Sequence, residues 1–101
     1  MDPVKLLMTW DISPGHEREY FEFVGGEFEV GLRRLGVRLT DAWLTRFGRH
    51  PQFLVAVEAE SYSKMQTALG TSEWGTLRAR LGELVTNFES RLVRSSNRFQ
   101  M

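Results

Sequence analysis

The chain has no cysteine among its 101 residues, which excludes disulfides, thiolate nucleophiles and cysteine-based zinc or iron–sulfur centres and is compatible with a reducing cytoplasm. Histidine is scarce: only His16 and His50 occur, with no i,i+4 pair to fix two imidazoles on one helix face, so no metal site is expected. Net charge is absent too, because thirteen Lys plus Arg balance thirteen Asp plus Glu. The broad basic field that nucleic acids and anionic membranes select is therefore missing. The balance is uneven along the chain, with ten acids and seven bases up to Glu60 and three acids and six bases beyond it. This reads as two differently charged helix surfaces. The first apolar stretch is interrupted by Lys5, Thr9 and Asp11 before it reaches spanning length, and Met1-Asp2-Pro3 carries an acid where a secretory leader carries bases. A soluble cytoplasmic protein with no membrane partner is expected. No Gly-x-Ser-x-Gly elbow surrounds a serine, and no glycine-rich phosphate loop follows a strand. No catalytic residue is assigned and no cofactor is expected.

What is present is an order of patterns. Val4, Leu6, Met8, Trp10 and Ile12 alternate with Lys5, Leu7, Thr9 and Asp11 at the two-residue period of a strand. Ser13-Pro14-Gly15 ends it, and Glu17 and Glu19 come next, where acids favour a helix start. Tyr20, Phe21, Val24, Phe28, Leu32 and Leu35 then recur at steps of three and four, with Gly36 as the stop. Gly25, Gly26 and Gly31 inside this helix each cost about 1 kcal/mol relative to alanine, so a kink, a close backbone approach or a ligand space beside the helix is expected there. Leu39–Phe47 and Phe53–Ala59 form a hairpin joined through Gly48, Arg49, His50 and Pro51. Ser61 and Ser63 are candidate caps for a second helical region that pauses at Gly70-Thr71-Ser72 and restarts at Glu73 or Trp74. The last strand is expected from Phe88 or Glu89 through Leu92 and Val93, before a loosely held tail after Ser95.

Strand, helix, two strands, helix and strand make a ferredoxin-like βαββαβ arrangement in the α+β class: a four-stranded antiparallel sheet with helices on one face. About 100 residues suffice for one core, placed at 4–95 of a single domain, 1–101. The other sheet face is left uncovered while residues of both strand phases are apolar, as in Leu6 and Leu7, Leu44 and Phe47, or Leu54 and Val55. Burial of that face against a second copy, in a homodimer, is expected. The RNA-recognition motif shares the element order, but Arg49-His50-Pro51-Gln52-Phe53-Leu54-Val55 lacks the glycine and paired aromatics of that module, so no nucleic-acid partner is expected. His16 and His50 read as capping and turn residues; the enzymatic alternative has His16 act as a base beside Asp11. A small apolar or aromatic ligand in the helix–sheet cleft would be met by Trp10, Tyr20, Trp43 and Trp74, with Asp11 orienting a polar group. The competing reading is that these rings are packing.

Trp43-Leu44-Thr45, Gly48, Gln52, Ser61 and Ser72-Glu73-Trp74, preceded by the first strand and the Pro14-Gly15 turn, resemble the dimeric α/β-barrel superfamily and most nearly its NIPSNAP-like branch. The resemblance spans about Val4 to Val93. In place of an aromatic-rich third strand this chain has Val55-Ala56-Val57-Glu58-Ala59-Glu60. The resemblance implies a homodimer with paired sheets and a cleft between sheet and helices in each subunit. Relatives include cofactor-free monooxygenases, isomerases, haem-degrading enzymes and members without an assigned activity. Three functions stand as expectations: ligand binding in the cleft, cofactor-free oxygenation or isomerisation, or a structural, partner-binding dimer without catalysis.

Overall fold

Alternation in the first segment is realised as strand β1 (Val4–Ile12), in which Val4, Leu6, Met8 and Trp10 are buried while Lys5, Leu7, Thr9 and Asp11 occupy the opposite face. The computed structural model describes residues 2–47 and 50–94. After β1 come α1 (Glu17–Phe23), a π-helical turn (Val24–Phe28), α2 (Glu29–Arg34), β2 (Arg38–Phe47), β3 (His50–Ala59), α3 (Tyr62–Leu69), α4 (Ser72–Gly82) and β4 (Val85–Arg94). The sheet is antiparallel in the order β2-β3-β1-β4, the ferredoxin-like topology expected from the element order. Strand residues of one phase join Tyr20, Phe23, Phe28, Leu32, Met65, Leu77 and Leu81 from the helices in a common core. Among the described residues no helix lies over the opposite sheet face.

Local chemistry sets most boundaries. Gly15 turns the chain out of β1 at φ +87°, a conformation in which a Cβ is strained. Gly36 closes α2 at φ +84°, where the Gly36 and Val37 amides donate to the Arg33 and Leu32 carbonyls at 3.1 and 3.3 Å. Ser61 caps α3 by accepting from the Lys64 amide at 3.2 Å, and Thr71 caps α4 by accepting from the Trp74 amide at 3.1 Å. Ser63 lies inside α3 instead of capping it.

Three expectations are corrected. First, Phe21 is 56% exposed and Phe23 is buried, because the helix carries one extra residue in its π turn. At about 100° per residue, a regular helix would spread Tyr20, Phe23, Phe28 and Leu32 over roughly half its circumference. Subtracting one residue at the π turn brings all four within about a quarter. Second, β4 starts at Val85, not Phe88, since the strand must run on to pair Val85 with Ile12. The Ser13 amide meets the Leu84 carbonyl at 2.9 Å just before it. Third, β3 starts at His50, which pairs with Phe47, so the hairpin connection shortens to Gly48-Arg49. That connection and the tail from Ser95 lie outside the described residues.

Candidate functional site

Trp10 and Tyr20 are fully buried, and the Trp10 Nε1–H donates to the Tyr20 hydroxyl at 2.8 Å. Burial pushes the Tyr20 phenol up to about 12 against the opposing effect of the Trp10 hydrogen bond, so it stays protonated across the physiological range. Phe88 stacks on Trp10, with ring planes 6° apart and centroids at 5.9 Å. Phe28 meets Trp10 edge-on at 6.4 Å and contacts Trp74 at the same distance. The space around Trp10 is thus filled by rings.

This stacking depends on a bulge. Between Thr9 and Asp11 the β4 partners step from Glu89 to Thr86, leaving one extra residue on β4, and Asn87 takes φ 57° to accommodate it. Asparagine tolerates the left-handed region better than most residues. Its Nδ2 donates to Asp11 Oδ2 at 2.9 Å.

The five expected ligand residues do not converge. Trp10, Tyr20 and the partly buried Trp74 lie on the helix side of the sheet. Asp11 is next to Trp10 in the same strand and takes the opposite phase, and Trp43 pairs with Leu54 on that same uncovered face, 62% exposed. His16 is engaged by Glu19 at 3.1 Å and Asp11 by Asn87, so each half of the suggested His16–Asp11 pair has another partner. Among the described residues no group of three potential metal ligands occurs.

Three residues outside that set, Phe21, Phe53 and Leu44, lie at the solvent edge of the helix-side ring cluster. The Tyr20 ring lies 5.1 Å from Phe21 and 5.2 Å from Phe53, and those two rings are 6.0 Å apart. Leu44, 49% exposed, pairs with Phe53 across β2 and β3, so it shares that face. Phe21 and Phe53 pack on Tyr20 at the solvent edge of the ring cluster, and Leu44 lies beside Phe53. Steps of three and four place both rings of Tyr20-Phe21 in one stripe; their adjacency, about 100° apart on a helix, is the signal that separates them.

The uncovered sheet face carries a hollow of about 420 Å³ lined by Leu7, Thr9, Asp41, Trp43, Gln52, Leu54 and Ala56. Lys5 Nζ reaches Asp41 Oδ2 at 3.2 Å, and this hydrogen bond is the main cause that holds the Asp41 carboxyl below its usual range. A second groove, about 440 Å³, runs between α2 and α4 past Gly26, Val30, Gly31 and Leu77, with Arg34 and Glu73 paired at 3.4 Å beside it. A Cβ on Gly31 would lie 2.5 Å from Leu77 Cδ1, so this glycine serves close helix packing.

No protein-family model and no curated protein matches the chain. Solved structures do. A NIPSNAP family protein from Agrobacterium tumefaciens superposes with a TM-score of 0.71 at 18% identity, covering 95% of this chain and 88% of that one. An uncharacterised NIPSNAP domain protein from Burkholderia xenovorans gives 0.69 at 15% identity, covering 97% and 99%. A mutant of SnoaB, a cofactor-independent oxygenase from Streptomyces nogalater, gives 0.71 at 16% identity, covering 98% and 97%. The NIPSNAP-like resemblance carried by the sequence motifs is therefore met in the architecture: this chain has the ferredoxin-like fold shared by NIPSNAP proteins and a cofactor-independent oxygenase.

Proposed function

We propose that the chain is a cytoplasmic homodimer, joined through its uncovered sheet faces, that takes a small apolar or aromatic molecule at the solvent edge of the helix-side ring cluster, beside Phe21, Phe53 and Leu44. The observation that carries the ligand reading is the Tyr20 hydroxyl. It is buried, protonated at neutral pH, held by Trp10 at 2.8 Å, and its ring contacts both of these phenylalanines. Such a phenol donates a hydrogen bond to a ligand carbonyl or hydroxyl while the rings stack on its apolar body. Trp10, Tyr20 and Trp74 support the site from behind; Asp11 and Trp43 belong to the other face. The dimer reading rests on the size and character of that face. Nine residues of β1 at roughly 3.3 Å each, in four strands about 4.8 Å apart, give two facing sheets enough contact to exceed the roughly 1,000 Å² of a specific interface.

Calorimetric titration with 2-naphthol tests the ligand reading. Saturable binding is expected, weakened about five- to tenfold by Tyr20→Phe, the size of one hydrogen bond. Absence of binding at millimolar concentration, or equal affinity of the variant, contradicts it.

The likeness in fold to a cofactor-independent oxygenase favours a second reading, in which the bound molecule is an electron-rich phenol or quinol oxidised by dioxygen. Its signature is oxygen uptake in step with added quinol. Binding without uptake leaves a sensing or storage role. Neither binding nor uptake leaves a structural dimer.

A further inference from the structure

Among the described residues, the uncovered sheet face carries one large exposed ring, Trp43, and two adjoining hollows of about 420 and 210 Å³ that share Leu7, Thr9 and Leu54; none of them takes part in the helix-side cluster. Trp43 stands on the edge strand β2 at 62% exposure, with its side chain hydrogen-bonded to Asp41 along one wall of the larger hollow. The hollow it borders has an apolar floor of Leu7, Leu54 and Ala56 on β1 and β3. Ala56 is only 1% exposed and is the small residue that keeps this floor low. Its ladder partners, Leu7 on β1 and Asp41 on β2, stand on either side.

We propose that Trp43 is the anchor of the homodimer: the ring of one subunit seats in the hollow of its partner, and the reverse contact occurs by symmetry. This inference rests on the dimer reading above and adds which residue holds it and where that residue goes. A two-fold contact places one surface against its own copy, so a knob on that surface must meet a hole on the same surface. A two-fold axis lying between the sheets, midway between Trp43 and the hollow floor, brings both knobs over both holes. Charge supports the same arrangement. The charged groups of this face toward the start of β1 are already paired, Lys5 with Asp41 at 3.2 Å and Arg38 with Glu58, so covering these pairs strands no lone charge. On β4 the corresponding positions opposite Thr9 and Leu7 are Glu89 and Arg91, both exposed. This polar flank belongs at a wet rim and shifts the contact toward β2, β3 and β1, where Trp43 and the hollow are. A tryptophan in an apolar pocket at the centre of an interface is the side chain most often found to dominate binding.

Sedimentation equilibrium on the full chain tests the proposal with three variants: Trp43→Ala, which removes the knob; Ala56→Leu, which fills the hole; and Val30→Ala, which trims an exposed apolar residue on α2 away from the face. Circular dichroism is recorded for each. Wild type is expected to be dimeric. Trp43→Ala should raise the dissociation constant at least about tenfold, Ala56→Leu should raise it as well, and Val30→Ala should leave it unchanged. A wild-type dimer whose dissociation constant ignores both Trp43→Ala and Ala56→Leu overturns the anchor and leaves the dimer reading standing. Weakening by Val30→Ala to the same degree also overturns the anchor. A wild type monomeric at every concentration overturns both. If Ala56→Leu fails to fold, Trp43→Ala decides alone, since Trp43 is exposed and makes no core contact.

Discussion

Tyr20 and Trp10 are a mutual necessity. Replacing Tyr20 by phenylalanine leaves the buried Trp10 N–H without an acceptor, at a cost of about 1–3 kcal/mol. Chemical denaturation of Tyr20→Phe at neutral pH should show that loss, and an unchanged midpoint would contradict it. The pair has a pH signature as well. Tyr20 ionises at about 12 when folded, above the ordinary value of 10.0. Its contribution to stability is therefore complete below about pH 10 and falls as pH rises through the folded value, because the unfolded chain releases this proton first. Alkaline titration should resolve a phenol near 12 that Tyr20→Phe abolishes. This contact was not legible in the sequence: it joins a strand residue to a helix residue across the Ser13–Gly15 turn, and neither neighbour's periodicity reveals a hydrogen bond. The separation of Trp10 from Asp11 was legible, since adjacent strand residues always point to opposite faces. A site needing both side chains in one cleft conflicted with the alternation that identified β1.

Elements were recovered better than their faces. The glycines of the first long helix have two distinct explanations. Gly25 and Gly26 sit in the π turn with open space where a Cβ would go, whereas Gly31 lies against Leu77. Opposite signs result. Gly25→Ala should stabilise by about 0.4–1 kcal/mol through reduced freedom of the unfolded chain. Gly31→Ala should destabilise by about 1–3 kcal/mol, the usual range for overpacking, less the helix-propensity gain. Thermal melts that move in the same direction would contradict this division. The π turn makes a sharper prediction. Deleting Gly25 converts that turn to a regular helix while Tyr20, Phe23, Phe28 and Leu32 keep their common face, so the protein should fold. Deleting Arg33 rotates only the residues C-terminal to it, with no turn to absorb the loss, and should disrupt the Gly36 stop. Side-chain dispersion in a proton NMR spectrum distinguishes the two; loss of dispersion on deleting Gly25 would contradict the register. Steps of three and four put Phe21 in the apolar stripe and left Phe23 out of it, and the extra residue in the turn is what reverses that choice.

At the scale of the whole molecule, the sheet divides the chemistry. Aromatic rings fill the helix side and reach solvent at Phe21 and Phe53, while the uncovered side carries Trp43, Leu7 and Leu54 around a hollow. Apolar residues in both strand phases made an apolar second face legible in the sequence, because a sheet with one solvated side alternates cleanly. Where its large side chain would stand depended on the β2–β3 register, which no local pattern specifies. The proposed assembly and ligand sites lie on opposite faces of the sheet, so Trp43→Ala should leave affinity for 2-naphthol unchanged in calorimetry while it weakens association. Coupled loss of both would contradict two independent faces. The most direct test is the mass of the untagged protein in solution by light scattering across a dilution series. Twice the 11.7 kDa of one chain is the expected result, falling only at high dilution. A mass of one chain throughout would contradict the covered sheet face on which the dimer rests.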